Sequence, residues 1–196
     1  MRRGKIIVMT GIPGSGKTTV CNELLKLAEE NGLKVKVVNF GTVMVELSEE
    51  IGKGMHRDDL RKSSLEFQKR LQAEAARRIA NMIKEVDGHI IVDTHMSIKT
   101  PTGYLAGLPK HVLEELNPDC FVLVEAEAEE ILRRRIKDET RRRDIEALEQ
   151  VKEELQFSRL MAAACAVLTG SSVKIVKNPR GGQTEAAREV LKVLLR

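Results

Sequence analysis

Lys5-Ile6-Ile7-Val8-Met9-Thr10 runs directly into Gly11-Ile12-Pro13-Gly14-Ser15-Gly16-Lys17-Thr18, and this junction decides the fold. Within the first six residues, Ile6 to Met9 form an unbroken apolar run of the kind that is buried on both faces of a parallel sheet. The next eight match G-x-x-x-x-G-K-[ST], placed between a strand and a helix, where the pattern has physical meaning. The glycines let successive backbone N–H groups converge on one concavity, and the helix N-terminus adds the positive end of its dipole. A β-phosphate fits there. Lys17 is expected to bridge the β- and γ-phosphates, and the Thr18 hydroxyl to face Mg²⁺.

Working outward, a helix is predicted from Gly16 to Asn31, with Val20, Leu24, Leu27 and Ala28 on one face and Gly32 as its stop. Leu33 to Phe40 reads as a strand near the sheet edge, and a short helix follows from about Thr42 to Ile51. Asp58 to about Val86 carries apolar residues at helical spacing (Leu60, Phe67, Leu71, Ala75, Ile79, Met82) and is expected to be one long helix. His89 to Asp93 and Cys120 to Val124 are again solid apolar strands. Between them, Thr94 to Leu108 is rich in Gly, Pro and Thr and reads as a loop, with Pro109 opening a short helix. Further helices are expected from Glu127, from Asp144 to Leu168 and from Thr184 to Leu195, with a fifth strand at Ser172 to Val176. Strand and helix alternate throughout. This predicts an α/β three-layer P-loop fold: one domain whose five-stranded parallel sheet has helices on both faces.

Asp93 ends a buried strand, where a P-loop protein keeps a Mg²⁺-facing carboxylate; a simple turn cap is the plain alternative. Among the four histidines, only His95 lies beside that site. Arg133, Arg134, Arg135, Lys137, Arg141, Arg142 and Arg143 crowd one short segment. They read either as a solvated helix end or nucleic-acid patch, or as a lid that brings positive charge over reacting phosphates and shuts out water. Arg159, next to an alanine-rich face (Ala162, Ala163, Ala164, Ala166), either meets an anion or snorkels outward.

The chain has 196 residues, 42% apolar and 32% charged, which suits a soluble globule with a self-sufficient core. No apolar run reaches the roughly 18 residues of a membrane span, and the apolar N-terminal strand is too short for a signal peptide, so a cytoplasmic protein is expected. Cys21, Cys120 and Cys165 are odd in number, far apart and set among apolar neighbours, as buried thiols are. The net charge of +4 fits a binder of polyanionic nucleotides as well as a binder of nucleic acid, but aromatics at 3% leave few platforms for stacked bases.

Several stretches together resemble the archaeal type of adenylate kinase: GIPGSGKTT at Gly11 to Thr19, NFGTVM at Asn39 to Met44, HRDDLRK at His56 to Lys62, VDTHMSIKTPTGYLAGLP at Val92 to Pro109, DETRRRD at Asp138 to Asp144, and AVLTGSSVKIV at Ala166 to Val176. The resemblance implies Mg²⁺-dependent, reversible transfer of the ATP γ-phosphoryl to AMP, giving two ADP. It implies that Gly11, Ile12, Pro13, Gly14, Ser15, Gly16, Lys17, Thr18 and Thr19 hold ATP, that Arg134 lies over its adenine, and that the Asn178-Pro179 turn borders the base. It implies that Arg141, Arg143 and Arg159 meet the transferred phosphate, and that Thr18 and Asp93 hold the metal. Thr42 and His95 fall to the AMP side. A helical insertion at about 41–87, a short lid at about 136–145 and a homo-oligomer, a trimer in the archaeal type, are also implied.

Two positions depart from the bacterial pattern. Leu47 stands where an arginine follows the AMP-site threonine by five, and Asp93-Thr94-His95-Met96-Ser97 replaces Asp-Gly-Phe-Pro-Arg. Arg57 and Arg61, four apart on a helix face, are the expected substitutes for the AMP phosphate. The rival readings are a nucleotide switch or ATPase acting on RNA, and the same fold with another acceptor such as CMP or shikimate. The guanine motif of GTPases is missing from the chain.

Overall fold

The computed structural model describes residues 4–56, 59–60, 63–100, 103–136 and 144–195. Its elements are β1 (Ile6–Thr10), α1 (Lys17–Glu30), β2 (Val35–Asn39), α2 (Phe40–Glu50), α3 (Leu65–Val86), β3 (His89–Asp93), β4 (Ser97–Thr100), β5 (Gly103–Ala106), α4 (Lys110–Leu116), β6 (Cys120–Glu125), α5 (Ala128–Ile136), α6 (Asp144–Thr169), β7 (Ser172–Lys177) and α7 (Gln183–Leu194).

The five long strands form one parallel sheet in the order β2-β3-β1-β6-β7. Central β1 and β6 are buried along their whole length, whereas edge strands β2 and β7 are only partly covered. Because side chains alternate across a strand, each strand feeds two cores. Ile6, Val8, Ile90, Val92, Phe121 and Leu123 face α2, α3, α4 and α6. Ile7, Met9, Ile91, Val122, Val124 and Val176 face α1 and α7. The chain leaves β1 toward β2, returns to β3 beside β1, and then crosses to β6 on the other side. The carboxyl ends of β1 and β3 therefore flank the point where the winding reverses, the usual crevice for ligands in such sheets.

Two expectations need correction. The long helix begins at Leu65, not Asp58: Ser64 accepts a hydrogen bond from the Phe67 N–H and caps it. Leu60 is still buried in the same core, so the apolar spacing continued past the point where the helix starts. The segment 94–108 is also not a plain loop. Ser97–Thr100 pairs antiparallel with Gly103–Ala106, and Tyr104 stacks on Phe157 of α6 with ring centroids 4.3 Å apart. Pro109 stands just before α4 as its N-cap residue.

Candidate active site

The phosphate loop is built as its sequence demands. Gly14 (φ 86°) and Gly16 (φ 85°) occupy the left-handed region, which penalises a side chain. A Cβ on Gly16 would also collide with the Asn178 amide. The loop is held from outside through its carbonyls. Arg134 donates to Gly14 O (3.2 Å), Ser15 O (3.1 Å) and Asn178 O (3.1 Å), while Arg135 donates to Pro13 O (2.8 Å). The Asn178 side chain donates to Ser15 O at 2.8 Å. The Ser15 N–H closes the loop's own turn on Ile12 O at 3.1 Å, and with the carbonyls engaged outside, the remaining loop N–H groups are left for the concavity. Ser15 Oγ is buried without a hydrogen-bond partner among the described residues, an opening for a ligand oxygen.

Lys17 forms an ion pair with Asp93 and donates to Thr94 O at 2.8 Å. The other Asp93 oxygen accepts from Asn39 Nδ2 at 2.8 Å. Burial, helped by the negative charge of Asp93, pushes the Cys21 thiol up to about 12, against the pull of Lys17. His95 Nδ1 lies 3.1 Å from Gly11 O, and the Met96 N–H donates to buried Thr10 Oγ1 at 3.0 Å, so the turn after β3 is tied to the end of β1.

Two clefts meet at His95. The first runs along Gly11, Ile12 and Pro13, with Lys99, Tyr104 and Ser158 opposite. The second lies between α2 and α3. Asn39, Asp93 and Thr94 close one end, Phe40, Met44, Leu60 and Ile98 form apolar walls, and Gln68 and Gln72 project from α3. Lys17 is bonded to Asp93 and Thr94, which line the second cleft.

The expected site residues fall into three groups. Gly11 to Thr19, Asp93, His95, Arg134 and the Asn178-Pro179 turn are brought together at the carboxyl end of the sheet. Thr42 is nearby, its N–H and hydroxyl both on Asn39 Oδ1 (3.0 and 3.2 Å). Arg159 has other partners: it grips buried Glu125 through two hydrogen bonds of 2.8 and 2.6 Å, and Lys177 approaches the same carboxylate at 3.3 Å. Arg57, Arg61, Arg141 and Arg143 lie outside the described residues. Leu47, the position of the bacterial arginine, is a buried residue of α2 and serves packing.

Asn39, Gln68, Gln72 and Lys99 are the site residues not singled out from sequence. Asn39 carried a readable signal, an Asn three residues before Thr at a strand-to-helix junction, which is a helix cap. Lys99 was hidden by the loop reading of its hairpin.

A Walker-type cradle, a strand-end carboxylate beside its lysine and a second cleft for an acceptor define a P-loop kinase. Comparisons agree and go further. A family model described as AAA domain matches residues 10–152. The adenylate kinase of Methanocaldococcus jannaschii is 52% identical over 98% of this chain and 99% of its own, and that of Methanopyrus kandleri 48% identical over 97% and 98%. The chain belongs to the adenylate kinase family, in its archaeal form. Among solved structures, a shikimate kinase from Acinetobacter baumannii in complex with shikimate superposes with a TM-score of 0.58 at 15% identity, covering 99% of this chain and 94% of that one, which shows the shared fold.

Proposed function

We propose that the cradle takes ATP, that the cleft between α2 and α3 takes AMP, and that Lys17 works where the two meet. The observation that carries this reading is the Lys17–Asp93 pair standing beside the concavity on one side and the acceptor cleft on the other. An AMP phosphate oxygen attacks the γ-phosphorus, the bond to the β–γ bridging oxygen breaks, and two ADP result. Little covalent help is needed; positioning and charge do most of the work. Lys17 exchanges Asp93 for the β- and γ-phosphates, and the loop N–H groups hold the β-phosphate.

The oxygen donors present suit Mg²⁺, a hard cation. Asp93 and the exposed Thr18 hydroxyl would hold it, and the ion would neutralise charge building on the phosphates. The segment at about 41–87 supplies the acceptor cleft, and the one at about 136–145 supplies lid arginines Arg141 and Arg143. Arg57 and Arg61 are the cations proposed for the AMP side. Arg134 fixes the loop next to the base-bordering turn. Arg159 reaches the transferred phosphate only if it leaves Glu125.

The enzyme is proposed to act as a homo-oligomer in the cytoplasm. Its cysteines are free thiols. Leu160, Ala163, Ala164, Val167 and Leu168 form a helical stripe on α6 that is exposed, Val167 at 86%, and Val173 and Ile175 of edge strand β7 are exposed nearby. An apolar surface of this kind is normally covered by a partner, and every copy presents the same one. Among the described residues no helix is long and apolar enough to cross a membrane.

The test is ADP formation from Mg-ATP with AMP, CMP, UMP or GMP. Stimulation by AMP, with two ADP formed per AMP consumed, is expected. A better rate with another monophosphate would overturn the acceptor while leaving the phosphate loop reading in place.

A further inference from the structure

The acceptor cleft has two polar ends of different kinds. The end near Lys17 carries the strand-end groups Asn39, Asp93 and Thr94, suited to the reacting phosphate. Away from the strand ends, α3 offers two carboxamides, Gln68 and Gln72, four residues apart and hence on one helix face. Apolar Met44, Leu60 and Ile98 line the same cleft. Apolar walls with a few directional hydrogen-bonding groups are what a flat heterocycle requires, since its faces want contact and its edge wants partners.

A carboxamide presents one donor group and one acceptor, and which faces a ligand depends on the flip of the amide. Gln68 is occupied in part by the start of α3, donating to Ser63 O at 2.9 Å. Gln72 is held differently: its Oε1 lies 3.2 Å from Nε2 of His111, on α4. With the proton on Nε2, His111 donates to that oxygen, and the amide cannot flip without losing the bond.

We infer that Gln72 reads the edge of the acceptor base and that His111, on the neighbouring helix, is a positioning residue that fixes the orientation of the Gln72 amide. This rests on the cleft being the AMP site. Adenine offers an amino donor beside a ring-nitrogen acceptor, and a carboxamide of fixed orientation matches that pair. Guanine and uracil reverse the order, with a carbonyl acceptor beside an N–H donor, and meet donor against donor and acceptor against acceptor. Cytosine shares adenine's order and is distinguished by size alone. The base preference expected of this cleft is thus amino over oxo.

The test measures KM and kcat for AMP, CMP, GMP and UMP in the whole enzyme and in variants, with KM for ATP as the internal control. In the unaltered enzyme AMP must be the best acceptor; if it is not, the AMP assignment of the cleft fails first. Given that, Gln72→Leu is expected to raise KM for AMP roughly tenfold, leave KM for ATP unchanged, and narrow the preference for AMP over UMP and GMP. His111→Phe should narrow the same preference, and His111→Asn, which retains a donor, should restore part of it. Unchanged AMP selectivity in Gln72→Leu overturns the inference. So does a His111→Phe enzyme that loses thermal stability while keeping its base preference, because a merely structural histidine behaves that way.

Discussion

Asn39 and Asp93 end adjacent strands at the same register position, and the Asn39 amide donates to the Asp93 carboxylate across the gap at 2.8 Å. The same asparagine caps α2 by accepting from the Thr42 N–H at 3.0 Å. One side chain therefore joins the strand-end carboxylate beside Lys17 to the helix that walls the second cleft.

Asn39→Ala should weaken both functions. Loss of the cap costs about 1 kcal/mol, or roughly 2–4 °C in thermal midpoint for a chain of this size. KM for AMP should rise as well. Asn39→Asp separates the effects: it keeps a capping oxygen but sets a second carboxylate against Asp93, so the midpoint should partly return and activity should not. Full activity in Asn39→Asp would show that the amide bond to Asp93 is dispensable.

Lys17→Met should lower kcat/KM by several orders of magnitude, since it removes the cation from the developing charge, an effect of about 3–4 kcal/mol or more in comparable sites. It also strips Asp93 of the cation paired with it, leaving the Asn39 amide. Steady-state kinetics with the folded variant decides this, and near-normal turnover would remove Lys17 from the mechanism.

Arg159→Met should act mainly on stability. Glu125 is 2% exposed, and among the described residues it would keep only Lys177 as a cationic partner. A half-exposed guanidinium limits the cost to roughly 1–2 kcal/mol, a drop of several degrees in thermal midpoint. If kcat collapses while the midpoint holds, Arg159 leaves Glu125 during turnover and belongs with the phosphates.

His89 gives stability a pH dependence far from the site. Its Nδ1 accepts from the Lys5 N–H at 3.2 Å, and burial, then Lys5, hold its pKa below the ordinary 6.5, with Asp119 opposing. The folded chain thus takes up this proton less readily than the unfolded one. The contribution of His89 is full above about pH 6.5 and is lost as pH falls toward the folded pKa. His89→Gln should flatten the fall in thermal midpoint between about pH 7 and pH 5. Parallel curves for the two proteins would exclude the effect.

Val167→Glu tests the apolar stripe on α6. The unaltered enzyme should have a solution mass that is a multiple of the chain's, and the variant should shift to one chain with its phosphate loop intact. A monomeric unaltered enzyme at micromolar concentration would end the proposal of assembly through this face.

The sheet was legible because its strands are solid apolar runs, and β1, β3 and β6 stand where those runs are. The phosphate loop was legible because glycines at Gly14 and Gly16 and a lysine at the helix start have few other uses. The start of α3 was not, because Leu60 keeps the helical spacing while Ser64 ends it, and a cap is a single residue against a long periodic pattern. The hairpin escaped for the opposite reason: four-residue strands, half exposed, leave too little alternation to read. Gln72 could not be found at all, since an uncharged residue on a helix gains meaning only from what stands across the cleft.

The outside grip on the phosphate loop has a consequence for how the protein comes apart. Carbonyls of Pro13, Gly14 and Ser15 are pinned by Arg134 and Arg135 of α5, and by Asn178 after β7. The loop cannot loosen while α5 stays docked, so shape is set during folding and not during capture of nucleotide. An open, empty-handed species with its sheet intact is therefore disfavoured. Release of α5 and loss of nucleotide binding become a single event.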